Sequence, residues 1–280
     1  FKRYISITGD SFKRKNISGI TYLLDTRYLI DRNFYLRENY EDFLYSKAKK
    51  LIILNKVNIF LDIGSCWGIY TLRLSNIRNL KILSFDPIIK NIKRLDEMVK
   101  INNLKNIKTF NTALGSKKGK VKFYGLEKFT PNYSLYDTNH KNFTVSKIDK
   151  LDNLIKIKKK VLYIKVDIER HEYYFLCGAT NILKNNNIIL QIEIYKKNKK
   201  QVFDRLNKKN FNLIYRHGAD YIFSIFDNSQ LIFKNDLIIL TIFFPCLNDL
   251  GSLIFLSNLF SISEIERPAI TSFCSIFFIS

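Results

Sequence analysis

The sequence predicts an α/β protein: a mostly parallel sheet with helices on both faces, closed by an antiparallel hairpin. Three observations carry this. From Val57 onward, apolar strand-like runs alternate with amphipathic helical stretches. Strands buried on both faces read as continuous apolar runs, and alternation with helices means a parallel sheet covered on each side. The first such run, Val57-Asn58-Ile59-Phe60-Leu61, leads through Asp62 into a glycine turn at Gly64 and Gly68, just ahead of a helical stretch. The last two runs, Phe211–Tyr215 and Tyr221–Phe226, have only a turn region around Gly218 between them. A parallel crossover needs about a dozen residues or more, so these two pair antiparallel.

Taken in order, residues 1–33 read as short strands with turns, such as Tyr4–Ile7 and Thr21–Leu24. Residues 38–54 have helical periodicity, with Tyr40, Phe43, Leu44, Ala48 and Leu51 on or near one face. Then come strand Val57–Asp62, helix Trp67–Ser75, strand Lys81–Phe85, helix Lys90–Ile101 and strand Ile107–Asn111. A hairpin at Gly119–Tyr124 and a polar loop from Pro131 to Asn142 interrupt the alternation. It resumes with strand Val161–Val166, helix Glu172–Leu183, strand Ile188–Ile194 and helix Lys199–Lys208 before the closing pair. A parallel sheet ending in an antiparallel hairpin is the signature of the class I (Rossmann-like) methyltransferase fold.

The expected organisation is an N-terminal segment of strands and helix packing on the core (1–55), a catalytic domain (56–230) and an apolar C-terminal extension (231–280). The chain's 280 residues, 46% of them hydrophobic, support one sizeable core with appendages. The extension is apolar but interrupted by Pro245, Asn248 and Asp249. A spanning helix needs about 20 apolar residues, which argues against a transmembrane reading. Contact with a membrane surface or a partner through this tail stays open.

Lys and Arg number 46 against 25 Asp and Glu, a net charge of +21. Such a balance brings nucleic acid or anionic membrane into consideration as partners. Richness in Lys, Asn and Ile is spread over the whole chain, and runs such as Lys156–Lys160 and Lys196–Lys200 are accounted for by solvated surface. Cys66, Cys177, Cys246 and Cys274 have no C-x-x-C spacing and no nearby paired histidines, so neither a metal site nor a disulfide framework is expected. Reduced thiols in a cytoplasmic protein are the expectation. Three N-x-S/T sequons, at Asn16, Asn132 and Asn142, are what chance supplies in an Asn-rich chain.

In an open parallel sheet, ligands bind beyond the carboxyl ends of the strands. The first strand ends in Asp62, Gly64 and Ser65, with Gly68 opening the helix. This D-x-G-x-x-x-G spacing is not the G-x-G-x-x-G of dinucleotide binders, and it suits a smaller adenosyl ligand without a pyrophosphate. The second strand ends at Asp86, placed to accept from both hydroxyls of a ribose; a helix cap before Pro87 is the competing reading. The third ends at Asn111-Thr112-Ala113, where backbone groups meet an adenine edge. The fourth ends in the densest polar cluster, Asp167-Ile168-Glu169-Arg170-His171-Glu172. Extended, Asp167, Glu169 and His171 share one face. Two acids and a histidine at a pocket edge provide a general base, a hydrogen-bond acceptor or metal ligands. A charge cluster at the start of the next helix explains Glu169 and Glu172 as well, but Asp167 poorly.

With these residues in hand, positions 35–226 resemble the FkbM family of S-adenosylmethionine-dependent methyltransferases. The resemblance rests on F-L-D-I-G-S-C-W-G-I-Y at Phe60–Tyr70, F-D-P at Phe85–Pro87, N-T-A-L-G at Asn111–Gly115, K-I-D-K-L-D at Lys147–Asp152, and I-K-V-D-I-E-R-H-E at Ile164–Glu172. Leu176–Ala179 and Gln191–Ile194 fall where the family has its L-x-G-A and x-x-E-I segments. The D-x-E-x-H-E run is the specific part. Two positions depart from the family: Arg170 stands where it usually has Gly, and Asp86 where it more often has Glu. The resemblance implies methyl transfer, mostly to oxygen of small molecules or sugars, with S-adenosyl-L-methionine as cofactor. Asp62, Gly64, Ser65, Gly68, Asp86, Asn111 and Ala113 would hold the cofactor; Asp167, Glu169 and His171 would face the acceptor. Two further readings stay open: a catalytically degenerate domain, and a nucleic-acid methyltransferase using the basic surface. A nicotinamide oxidoreductase lacks its glycine motif here.

Overall fold

The structure, a computed structural model, describes residues 11–125, 133–136 and 143–225. It begins with a hairpin of β1 (Phe12–Ile17) and β2 (Ile20–Asp25), followed by α1 (Leu29–Arg37) and α2 (Asp42–Leu54). The alternation then runs β3 (Ile59–Ile63), α3 (Ile69–Leu74), β4 (Lys81–Asp86), α4 (Ile89–Ile101) and β5 (Ile107–Asn111). An insertion supplies β6 (Ala113–Leu114), β7 (Gly119–Gly125), β8 (Tyr133–Ser134), β9 (Phe143–Asp149) and the short α5 (Leu151–Leu154). The second half is β10 (Val161–Val166), α6 (Glu172–Gly178), α7 (Thr180–Asn185), β11 (Asn187–Glu193), α8 (Lys199–Asn207), β12 (Asn212–His217) and β13 (Asp220–Ser224).

Seven strands form one sheet in the order β12-β13-β11-β10-β3-β4-β5. The five from β11 to β5 are parallel, and β13 is antiparallel to both its neighbours. This is the expected class I methyltransferase architecture with its closing hairpin. Strand order reverses between β3 and β10, so the chain leaves these two strands toward opposite sides. That switch point opens a crevice at their carboxyl ends. Side chains such as Leu61, Ile164, Leu190 and Phe175 are wholly buried around the sheet, which is why its strands read as continuous apolar runs.

The N-terminal hairpin lies over α3 and α4, sharing a core of Tyr22, Leu24, Phe34, Trp67, Leu95 and Met98. Arg94 locks it in place. Its guanidinium lies 4.4 Å from the Trp67 ring centre and hydrogen-bonds to the Leu23 carbonyl and the fully buried Asp31 carboxylate.

Three elements differ from expectation. Residues 29–37 form a helix of their own, and the expected helix over 38–54 begins only at Asp42, because Glu38 (φ 58°) and Glu41 (φ 49°) take the left-handed conformation. The expected helix Glu172–Leu183 divides at Ala179; Gly178 there lies so close to the Gly115 carbonyl that a Cβ would sit 1.9 Å from it. Residues 119–125 do not fold back on themselves: β7 pairs with β9 and β8 in a second sheet ordered β6-β9-β7-β8. The Tyr4–Ile7 strand, most of the 131–142 loop and the 231–280 extension lie outside the described residues.

Candidate active site

A cleft of about 280 Å³ opens at the carboxyl ends of β3, β4, β10 and β11. Its wall combines the apolar side chains Phe85, Ile88, Leu114 and Phe123 with carboxyl groups.

The glycine turn is built by close approach. Gly64 has φ +81°, its N–H donates to the Phe85 carbonyl at 2.9 Å, and a Cβ would sit 1.9 Å from the Asp167 carbonyl oxygen. Only glycine lets β3 and β10 stay this near on the cleft side. Gly68, φ +88°, precedes α3 with its α-carbon against the Leu95 side chain. Gly68 and Ser65 lie behind the wall, and the buried Ser65 hydroxyl has no hydrogen-bond partner. Asp62, expected at the ligand, stands one layer behind the cleft wall. It is 2% exposed, lies off the wall, and accepts a 2.7 Å bond from Thr71, whose hydroxyl also pairs with Ser84. Burial, moderated by Lys165, raises its pKa.

Asp86 sits on the wall and serves two ends at once. Oδ2 accepts from the Cys66 N–H at 2.9 Å, while Oδ1 accepts from the Ile88 N–H at 2.8 Å and Asn91 Nδ2 at 3.1 Å. It therefore ties the glycine turn to the start of α4. Burial pushes its pKa up to about 7 despite these donors. Asn111 stands off the cleft and donates from Nδ2 to the Asp86 and Pro87 carbonyls, whereas Thr112 and Ala113 reach the wall.

Asp167, Glu169 and His171 all reach the cleft, but not as an extended segment. β10 ends at Val166, and Glu169 (φ 52°) and Arg170 (φ 78°) form a left-handed turn. Glycine is the residue that adopts this conformation freely, which explains why Arg170 is conspicuous there. The Arg170 side chain stays off the cleft wall, its guanidinium 5.6 Å from the Tyr136 ring centre. His171 stacks on Tyr174 with centroids 4.8 Å apart, and its Nδ1 lies 2.7 Å from the Tyr136 hydroxyl. Burial lowers its pKa to about 4, so the ring is neutral at neutral pH. Glu169 is raised by burial and then by Asp167. Glu172 is fully buried, accepts from the Arg170 N–H and Asn198 Nδ2, and is pushed by burial to about 7.

Several wall residues were not foreseen. Glu193 and Tyr195 come from the end of β11, where the carboxyl-end rule applied to Ile188–Ile194 points to Glu193. Tyr40 and Glu41 arrive from the start of α2, with no local signal for it. Lys165, buried behind the wall, places Nζ 3.0 Å from Asp167 Oδ2. Among the described residues, the wall carries five carboxyl groups, Glu41, Asp86, Asp167, Glu169 and Glu193, and no lysine or arginine. No group of three or more metal-ligating side chains stands together among those residues, and none of their helices is long and apolar enough to cross a membrane.

The family model described as "Methyltransferase FkbM domain" matches residues 62–221. Among solved structures the chain is similar to M. jannaschii TYW2 in complex with AdoMet, at 11% identity over 78% of this chain and 85% of that one, TM-score 0.43. It is also similar to precorrin-6y C5,15-methyltransferase from Geobacter metallireducens, at 10% identity over 67% and 90%, TM-score 0.41. A third is the Pyrococcus abyssi tRNA (uracil-54, C5)-methyltransferase in complex with S-adenosyl-L-homocysteine, at 14% identity over 78% and 44%, TM-score 0.42. No curated protein matches the chain.

Proposed function

The chain belongs to the FkbM methyltransferase family, whose cofactor is S-adenosylmethionine, and from that premise we propose that it methylates a hydroxyl of an uncharged small molecule or saccharide. The observation that carries this reading is the make-up of the cleft wall, rich in carboxyl groups and without a cation among the described residues. A chain of net charge +21 lines this one concavity with five carboxyl groups and, among the described residues, no cation. A phosphodiester brought to such a wall meets repulsion without a counter-charge, whereas a hydroxyl finds acceptors. The basic surface alone therefore does not favour a nucleic-acid acceptor.

The wall also fits the cofactor. Gly64 presents bare backbone on the cleft wall, with Ser65 directly behind it. Asp86 is the carboxyl group for a ribose, Ala113 and the apolar side chains of the wall suit an adenine, and Asp62, Gly68 and Asn111 act one step behind by holding Thr71, α3 and the Asp86 carbonyl. When bound, the cofactor supplies a methyl group already activated on a cationic sulfonium. The protein has to align the acceptor oxygen, exclude water and take up a proton. Asp167 offers an ionised hydrogen-bond acceptor. Glu169 is the base: burial and then Asp167 raise its carboxyl and so its proton affinity, whereas burial lowers that of the His171 ring. His171 instead anchors Tyr136 at the cleft rim.

The test is calorimetric titration of S-adenosylhomocysteine into the full chain beside Asp86→Ala, followed by a screen of sugars, polyols and RNA with radiolabelled cofactor. Micromolar binding that weakens tenfold or more in the variant, and label transfer to a neutral hydroxyl compound, support the reading. Transfer to RNA alone refutes the acceptor assignment. Full turnover in Glu169→Ala refutes the base assignment.

A further inference from the structure

One face of the sheet carries a polar stripe through an apolar interior. Asp62 on β3, Lys165 on β10 and Gln191 on β11 stand in register, so their side chains share a face. Two residues further along lie Asp167 and Glu193, where β10 and β11 reach the cleft. Lys165 is 7% exposed, and a buried ammonium needs a partner at hydrogen-bond distance. Its Nζ finds Asp167 Oδ2 at 3.0 Å and lies 4.9 Å from the Tyr70 ring centre, and the Tyr70 hydroxyl donates to Glu41. Asp167 and Glu193 both stand on the cleft wall and face each other beyond the paired ends of β10 and β11, with Tyr195 beside them.

We propose that Lys165 and Glu193 are positioning residues of the methyl-transfer reaction, holding the Asp167 carboxyl group ionised and in a single orientation as a fixed hydrogen-bond acceptor on the cleft wall. This rests on the methyl-transfer reading of the cleft.

Six acids face this pair: Asp62 from β3, Glu41 from the start of α2, Glu169 from the turn, Glu172 from α6, Glu193 from β11 and Asp220 from β13. Tyr40, Tyr70, Tyr163 and Tyr195 also face it, and Arg170 acts on Glu169. Like charges this close cannot all ionise, so the acid bonded to the amine ionises while others keep a proton. Burial pushes Asp167 upward, but direct contact with Lys165 overcomes it and brings the carboxyl below its usual range. Glu193, half-buried and facing Asp167, rises to about 8 and keeps its proton at neutral pH. A protonated Glu193 carboxyl is a donor and an ionised Asp167 an acceptor, so the two facing groups are complementary. Lys165 donates to the same carboxylate. An ionised carboxyl group has about four acceptor sites, so Asp167 retains capacity toward the cleft.

The experiment is pH titration by carbon NMR of the full chain with 13C-labelled Asp and Glu carboxyls, Asp167 being assigned with Asp167→Asn. In the wild type, Asp167 stays a carboxylate to below about pH 3.9, the ordinary aspartate value, and Glu193 titrates near 8. In Lys165→Met, the Asp167 midpoint rises by about two pH units, a hundredfold change in proton affinity; Lys165→Arg restores it. In Glu193→Gln the titration near 8 disappears while Asp167 remains ionised. A folded Lys165→Met protein with an unmoved Asp167 midpoint overturns the proposal. So does wild-type Asp167 titrating at or above the ordinary value, which decides the matter even if Lys165→Met fails to fold. S-adenosylhomocysteine calorimetry on the wild type separates the two levels: no binding refutes the methyl-transfer reading and leaves the titration result intact.

Discussion

Gly64→Ala probes the contact on which the cleft is built. The residue sits at φ +81°, and an added methyl group would lie 1.9 Å from the Asp167 carbonyl oxygen, where ordinary contact begins at 3.4 Å. The backbone conformation alone costs about 1–2 kcal/mol for a residue with a Cβ. The methyl group then drives the two segments apart by about 1.5 Å. At that separation the bond from the Asp167 N–H to the Ile63 carbonyl, now 3.0 Å, cannot persist. Losing a buried backbone bond adds about 1–3 kcal/mol. The expected destabilisation is therefore about 3 kcal/mol, read as a fall of about 6–12 °C in Tm for a chain of this size. Gly19→Ala is the control: φ is +83°, nearly the same, with nothing within 4 Å of the added methyl. It carries the conformational cost only. Urea unfolding of both variants isolates the contact, and S-adenosylhomocysteine affinity should fall about tenfold or more in Gly64→Ala while Gly19→Ala matches the wild type. If the two variants lie within about 0.5 kcal/mol of each other, with equal affinities, the close approach of β3 to β10 is not what positions the cleft.

Three further outcomes follow from the same geometry. Arg94→Met leaves the fully buried Asp31 carboxylate without its cation and should cost about 3–5 kcal/mol, with Asp31→Asn restoring part of the loss in the double variant; a cost below about 1 kcal/mol would contradict the clamp. The His171 pKa falls from 6.5 unfolded to about 4 folded, so between these values the unfolded chain holds a proton that the folded one rejects. Its contribution to stability is present above pH 6.5 and lost as pH drops toward 4, by up to about 3 kcal/mol. Asp86, Glu172 and Glu193 have raised values and act in the opposite sense. The readout is thus the difference between wild type and His171→Gln in urea midpoints at pH 7 and 4.5, and equal pH slopes would sink it. Arg170→Gly removes a left-handed strain of about 1–2 kcal/mol and adds about 0.4–1 kcal/mol of unfolded-chain entropy, so calorimetry should register a gain of about 0–1.6 kcal/mol with cofactor-product binding retained. A loss larger than about 1 kcal/mol would mean that the Arg170 contact with Tyr136 outweighs the strain.

The strands and most helices from Val57 onward were legible because their pattern is local: an apolar run of five or six residues, or a 3.6-residue stripe, is complete in the sequence. The same holds for the direction of the closing pair, fixed by the short connection at Gly218, and for the clustering of Asp86, Asp167, Glu169 and His171 at strand ends. Other features were not local. The break of the expected helix at Ala179 follows from Gly178 meeting the Gly115 carbonyl, some 60 positions away in the chain. The pairing of β7 with β9, and the arrival of Tyr40 and Glu41 at the cleft, likewise depend on what lies opposite.

Asp62 and Lys165 mark the division between the two kinds of information most sharply. The sequence by itself determined the sheet, the glycine turn and the family, since apolar periodicity, backbone freedom at glycine and the D-x-E-x-H-E run are properties of consecutive residues. It could not say which carboxyl groups reach the cleft and which stay behind it. Asp62 turns inward to Thr71, Asp167 is held by an amine two residues earlier, and Glu193 keeps a proton because burial, and then the facing Asp167, raise its pKa. Those assignments depend on distances and burial, because electrostatic energy between groups remote in sequence exists only once the strands stand side by side.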